Sequence, residues 1–245
     1  MPKRNIYLID EPNGKWREFL SDYLSETAST LHVFDQFVRA STQMDKIIPD
    51  MIFIHETFVS PAFEQKIKIL KETNHAAKVF KISQTMSKVV SEIYDGLFLN
   101  NPALFDFQKE IAQHFTFTNK LDILVVDDER EIGAMVKDFL ELRKNPGFEV
   151  RYEENGDKGF KSILRKTPDV VLLDIKMPVK DGRDVYREIK TRKIDLPVIL
   201  FFDSMTGDEM VEIRKYGNPP VIEKGARESA LPEVLLLIKK LAYFG

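Results

Sequence analysis

Four residues in the second half of the chain have types and positions that could do chemistry together. Asp127 and Asp128 follow the run Leu121 to Val126, Asp174 follows Val170 to Leu173, and Lys224 follows Val221 to Glu223. Each run is short, aliphatic and rich in β-branched residues, the pattern of a fully buried strand. Between the runs lie stretches with apolar residues at helical spacing, such as Glu129 to Leu142 with Ile132, Met135, Val136, Phe139 and Leu140 on one face. Strands alternating with helices predict an α/β fold with a parallel sheet covered on both faces, because parallel crossovers must pass over the sheet. The C-terminal ends of such strands form one crevice, so three carboxylates and one ammonium from distant sequence should converge there. Two carboxylates about 5 Å apart repel by roughly 3 kcal/mol at an effective dielectric of ~20. The cluster therefore favours a divalent cation, and hard oxygen ligands with room for water suit Mg2+. Lys224 would supply a fixed positive charge for a phosphoryl group, and Asp174 could attack phosphorus to give an aspartyl phosphate. Strand-end caps and a surface lysine would explain each residue singly but not the joint spacing.

The elements that must position these residues are legible on either side of them. Phe148 to Tyr152 and Val198 to Phe202 are further strands, and helices are predicted over Lys158 to Lys166, Gly182 to Arg192, Asp208 to Tyr216 and Ser229 to Phe244. The first half repeats the plan: strands over Asn5 to Ile9, Met51 to Ile54, Val79 to Ile82 and Leu97 to Leu99, with helices over Lys15 to Leu24 and Ala103 to Phe115. Pro49-Asp50 precedes the strand at Met51 as Pro168-Asp169 precedes the strand at Val170. The connector, Phe115 to Lys120, lacks the Gly/Ser/Pro bias of a flexible tether, so the halves are expected to pack together or to join through a nearly continuous helix.

The second half resembles the receiver domains of bacterial two-component response regulators, over about 125 residues. The matching pieces are Val125-Val126-Asp127-Asp128, then Pro168 to Pro178 with Asp174 inside it, then Asp181-Gly182 and Lys224. The resemblance implies two doubly wound five-stranded parallel sheets of strand order 2-1-3-4-5, a degenerate receiver over 1–118 and a phosphoacceptor receiver over 119–245. It implies Asp127 and Asp128 as the acid pair for Mg2+, Asp174 as phosphoacceptor and ligand, the backbone carbonyl of Lys176 as a further ligand, and Lys224 as phosphate partner. The partner so implied is a histidine kinase or phosphotransfer protein, and the protein is a signalling protein rather than an enzyme. Two family features are missing: Phe202 stands where a Thr or Ser hydroxyl is expected, with Ser204 two residues too late, and Val221 stands in the place of an aromatic residue. Gly225 follows the lysine in place of the usual Pro. In the first half Asp10-Glu11 takes the acid-pair place, His55 the phosphoacceptor place, Asn100 or Asn101 the lysine place, Ser83 the hydroxyl place and Phe98 the aromatic place. Asp10-Glu11 also suits the acidic entry to a helix, and a lone His at a strand end is ordinarily structural.

Composition bounds the partners. The chain has 245 residues, and its net charge of -3 comes from 36 basic and 39 acidic side chains, with neither half basic. Nucleic-acid binding through bulk charge is not expected, since phosphate neutralisation needs a basic excess. The absence of cysteine excludes disulfides and thiolate metal sites and fits a reducing compartment. No apolar run is long enough for a membrane span or a signal core, so a cytoplasmic protein is expected. The chain closes with its last helix at Phe244-Gly245, so output is expected through protein contacts, a homodimer among them. The competing readings are a constitutive interaction scaffold and a fragment of a longer regulator with an effector domain beyond Gly245.

Overall fold

In the computed structural model, residues 3–85, 92–115, 117, 119–225 and 227–244 are described. The chain divides between residues 115 and 116 into two compact units. The first comprises β1 (Asn5–Ile9), α1 (Lys15–Leu24), β2 (Thr30–Phe34), α2 (Phe37–Met44), β3 (Met51–His55), α3 (Pro61–Thr73), β4 (Lys78–Ser83), β5 (Gly96–Leu99) and α4 (Leu104–Gln113). The second comprises β6 (Leu121–Val126), α5 (Arg130–Glu141), β7 (Phe148–Glu153), α6 (Gly156–Arg165), β8 (Val170–Leu173), α7 (Gly182–Thr191), β9 (Val198–Phe202), α8 (Gly207–Arg214), β10 (Val221–Glu223) and α9 (Arg227–Phe244). Both sheets are wholly parallel, ordered β2-β1-β3-β4-β5 and β7-β6-β8-β9-β10. This is the expected 2-1-3-4-5 order, twice.

Alternation along β6 explains the two-sided core of the second unit. Leu121, Ile123 and Val125 pack with Ile132, Val136, Phe201 and Ile238, while Leu124 and Val126 pack with Ile163, Leu173, Tyr186 and Leu200 on the opposite face. Each aliphatic side chain fully buried in this way stabilises the fold by about 1.5–3 kcal/mol. Asp122, buried within the same strand, is neutralised by Arg151 Nε and Lys166 Nζ, each at 2.8 Å. In the first unit one face carries Tyr7, Ile9, Ile52, Ile54 and Val79 against Ala40, Phe63 and Ile67. The other face is aromatic, with Phe53 against Phe80 at 5.1 Å and Trp16 against Phe98 at 5.0 Å between ring centroids.

Helix α6 starts at a side-chain cap. Asn155 accepts from the Lys158 amide at 3.0 Å, which brings α6 in two residues before the predicted Lys158. The continuous-helix alternative for the connector is not what forms. Helix α4 ends at Gln113, where the amide of His114 closes back on Ile111 O at 3.0 Å, and Phe115, Phe117, Asn119 and Lys120 are not helical.

Candidate functional site

The C-terminal ends of β6, β8 and β10 bring Asp127, Asp174 and Lys224 together, all at least 95% buried. Lys224 Nζ lies 2.9 Å from Asp127 Oδ2 and 2.9 Å from Asp174 Oδ1. Asp127 Oδ1 also accepts from the Glu129 amide at 2.9 Å, which ties it to the entry of α5. Burial pushes the Asp127 carboxyl up to about 6, against the opposing pull of Lys224. Asp174 is raised as well, first by burial and then, after the opposing effect of Lys224, by the nearby Asp128. Burial alone would lower Lys224, but the carboxylates of Asp174 and Asp127 outweigh it and hold the ammonium above its ordinary value. The pair is thus an ammonium shared between two carboxylates that are short of positive charge.

The structure also supplies a charge that strand spacing did not point out. Asp203, the first residue after β9, has its Oδ2 3.6 Å from Lys224 Nζ. The rule that located the other three, charged residues at C-terminal strand ends, applies to it equally. Asp128, Glu129, Asp174, Lys176, Phe202, Asp203, Ser204 and Lys224 line an open cleft over the site. Asp128 and Lys176 are exposed, and Lys176 Nζ donates to Ser204 Oγ at 3.2 Å. Phe202 and Met205 both pack against the core, and Val221 is 39% exposed.

Backbone geometry shapes this cleft at two glycines. A Cβ on Gly182 would lie 1.9 Å from the Asp174 carbonyl oxygen, so the loop that leaves Asp174 can return to begin α7 only because residue 182 has no side chain. The Gly182 amide donates to Ile175 O at 2.9 Å and closes that loop. Gly225 takes a φ of +45°, a conformation closed to the proline that the family resemblance suggested there.

All-oxygen donors surround the cleft, which tests the fit of Mg2+. Among the described residues no three His, Cys, Asp or Glu side chains are grouped to hold a metal ion. Two of the three expected carboxylates turn to Lys224, and Asp128 faces solvent. Mg2+ keeps several waters and takes one or two carboxylates rather than a full protein cage. The raised Asp127 carboxyl, exposed Asp128 and carbonyl-bearing loop at Lys176 are compatible with that.

The first unit reproduces the frame with different residues at its strand ends. The Asp10 amide donates to Phe34 O at 3.0 Å as the Asp127 amide donates to Glu153 O at 3.1 Å, and Ile9 pairs with Ile54 as Val126 pairs with Leu173. Asp10 therefore matches Asp127, and His55 matches Asp174. The Asn100 amide donates to Ser83 O at 2.8 Å as the Lys224 amide donates to Phe202 O at 2.7 Å. Of the two candidates for the lysine place, register selects Asn100. Counting back three from Asn100 then corrects the aromatic place: it is Leu97, while Phe98 matches the buried Ile222 and is core. Ser83 is in the hydroxyl place, but its Oγ donates to Glu56 Oε2 at 2.5 Å. His55 is 2% exposed, with Nδ1 2.9 Å from Thr57 Oγ1 and 3.9 Å from Glu11 Oε1. Burial raises Asp10 against the opposing effects of the Glu11 amide, His55 and Arg17, where for Asp127 the largest opposing effect is that of Lys224.

Residues 123–236 match the family of the response regulator receiver domain. The chain is 27% identical to the transcriptional regulatory protein RprY of Bacteroides fragilis over 105 residues, 43% of each chain. It is 40% identical to the transcriptional regulatory protein ResD of Bacillus subtilis over 83 residues, 34% of this chain and 33% of that one. These matches span less than half the length of either relative. Among solved structures, the response regulator domain of Thermotoga maritima CheB matches with 22% identity and a TM-score of 0.45, over 50% of this chain and 96% of that one. A probable two-component system response regulator/GGDEF domain protein matches with 17% identity and a TM-score of 0.41, over 95% of this chain and 99% of that one. Among the described residues no helix is long and apolar enough to cross a membrane.

Proposed function

From the premise that residues 123–236 are a response regulator receiver domain, preceded by a second sheet of the same topology, we propose that the chain accepts a phosphoryl group on Asp174. The observation that carries this is Lys224 held 2.9 Å from both Asp127 and Asp174 beneath an open cleft. In the reaction an oxygen of Asp174 attacks phosphorus, and the bond from phosphorus to the donor's imidazole nitrogen breaks, leaving its electron pair on that nitrogen. Lys224, already charged, holds the phosphoryl oxygens. Asp127, Asp128, Asp174 and the backbone carbonyl of Lys176 would hold Mg2+. When bound, Mg2+ supplies positive charge at the incoming phosphoryl oxygens.

We divide the chain into a degenerate receiver, 1–118, and a phosphoacceptor receiver, 119–245. The donor is a histidine kinase or phosphotransfer protein, the location the cytoplasm, and the role that of a phosphorelay acceptor rather than of an enzyme with its own substrate. Output runs through protein contacts, for which the first unit, lacking nucleophile and lysine, supplies a docking or homodimer surface. Intact-mass measurement after treatment with a small phosphodonor and Mg2+ tests the assignment. The expected result is one added phosphoryl group on the full chain and none on Asp174→Asn. Uptake by Asp174→Asn would refute it. Phe202 and Val221 favour a second reading, a constitutive scaffold, and lack of any added mass on the parent chain would select that reading.

A further inference from the structure

Lys224 is shared by three carboxylates, and they are not held alike. Asp127 and Asp174 are buried and at 2.9 Å, whereas Asp203 is at 3.6 Å with its side chain 57% exposed. Next along the chain, Ser204 Oγ accepts from Lys176 Nζ at 3.2 Å, and Met205 rests against the core formed by Leu200, Ile213 and their neighbours. The segment is pinned at both ends. Before it, the Lys224 amide donates to Phe202 O at 2.7 Å. After it, Thr206 begins α8 in a capping box, its amide donating to Glu209 Oε2 at 2.7 Å and its Oγ1 accepting from the Glu209 amide at 3.3 Å. Residues 203–205 are therefore a short tether seated by one half-exposed ion pair, one hydrogen bond and one apolar side chain.

We propose that Asp203 reads out phosphorylation by repulsion, so that a phosphoryl group on Asp174 expels residues 203–205 from the cleft. This rests on Asp174 being the phosphoacceptor. Formation of the acyl phosphate removes the charge of the Asp174 carboxylate and the phosphoryl group brings a larger negative charge, about 1.5–2, placed further out in the cleft. That group takes Lys224 from Asp203 and Lys176 from Ser204, since a lysine prefers the more charged acceptor. Of the three carboxylates on Lys224, Asp203 alone can leave to water without crossing buried structure. No hydroxyl at Phe202 is present to draw the segment inward, so both changes act outward. The phosphoryl group thereby interacts differently with the two loop states, which any ligand-driven shift requires.

The chain has no cysteine, so Met205→Cys introduces a unique thiol at the seat of the segment. In the full chain with Mg2+, beryllofluoride should raise the rate of thiol modification about three- to fivefold, the size of a half-exposed ion pair. Asp203→Asn in that background should show the raised rate before any beryllofluoride is added and gain little more. A rate that falls or stays fixed with beryllofluoride, or an Asp203→Asn rate equal to its parent's, overturns the proposal. The methyl resonance of Met205 in otherwise unaltered chain gives the same reading without the cysteine: it should move toward its solvent-exposed position. Intact mass separates the two layers of argument. Phosphoryl gain with an unmoved Met205 sinks the repulsion mechanism alone, and absence of gain on the parent chain sinks both.

Discussion

The two units place the same backbone frame around two different crevices. Where the second has Asp174, Lys224 and Phe202, the first has His55, Asn100 and Ser83. In the second crevice the polar groups are incompletely balanced: one ammonium answers several carboxylates, and Asp127 is pushed up to about 6 by burial. In the first, Ser83 is bound to Glu56 and His55 Nδ1 to Thr57, while Asp10 Oδ2 and His55 Nε2 are buried with no hydrogen-bond partner among the described residues. The comparison teaches that both crevices bury a raised carboxyl, and that what separates them is the ammonium of Lys224, shared between carboxylates in the second and replaced by Asn100 in the first.

The largest effect expected from breaking this difference is at Gly182. The loop after Asp174 returns to α7 through a contact that a Cβ would enter at 1.9 Å from backbone oxygen. In the first unit the chain leaves His55 through a short 3-10 turn, Glu56–Phe58, and enters α3 at Pro61 under a Ser60 cap. Gly182→Ala should cost about 3 kcal/mol or more, because backbone must shift. Phosphoryl uptake should fall with it. Denaturant unfolding followed by intact mass checks both, and wild-type stability in the variant would show the loop to be adaptable.

A smaller effect, opposite in sign, is expected at Asp127. Its carboxyl titrates near 3.8 in the unfolded chain and at about 6 in the fold. The stabilising contribution of its protonated form is complete below the unfolded value and is lost as the pH rises through about 6, leaving the fold roughly 3 kcal/mol less stable at pH 7 than at pH 3 from this group. Asp127→Asn should therefore stabilise at pH 7 by about 1–3 kcal/mol and change little near pH 4. Adding Mg2+ should stabilise the parent at pH 7 but not this variant. Asp10, raised by burial as well, should also stabilise when changed to Asn, with no Mg2+ dependence. Equal Mg2+ responses after Asp10→Asn and Asp127→Asn would erase the contrast between the halves.

Strand ends were legible because a buried parallel strand advertises itself as an aliphatic run, and charge following such a run has one place to go. That logic located Asp127, Asp128, Asp174 and Lys224. It could not settle Asn100 against Asn101, because a run such as Gly96 to Leu99 does not print its register; only the pairing of Ser83 with Leu99 does, and the Phe98 assignment fell with it. β2 over Thr30–Phe34 is half exposed and short, so its pattern is weak. Helix α3 did have a signal in Ser60-Pro61, a cap followed by proline at the first helical position. Asp203 directly follows the strand Val198–Phe202, so the same rule points to it; what the sequence does not encode is its 3.6 Å distance to Lys224.

The smallest effect is expected at Ser83, and it sharpens the contrast most directly. In the first unit the hydroxyl is committed to a carboxylate of its own half: Ser83 Oγ donates to Glu56 Oε2, and the Gln84 amide donates to Glu56 Oε1 at 3.0 Å. The Gln84 amide first, and then Ser83, hold Glu56 below its ordinary value. A depressed carboxyl contributes stability above its unfolded value, and that contribution is lost as the pH falls through the folded one. Ser83→Ala removes one donor to a charged acceptor and should cost about 1 kcal/mol at pH 7, with the difference from the parent shrinking once Glu56 is protonated. The matching residue of the second unit, Phe202, has no such role, and the position matching Glu56 is Ile175. Phe202→Ser would place a hydroxyl there without a carboxylate waiting for it, so it should lose packing and show no comparable acid dependence. Unfolding measured from pH 3 to 7 for both variants decides the matter: a pH-independent loss at Ser83→Ala would mean that the hydroxyl merely fills space, and that the first crevice is not closed by its own polar groups.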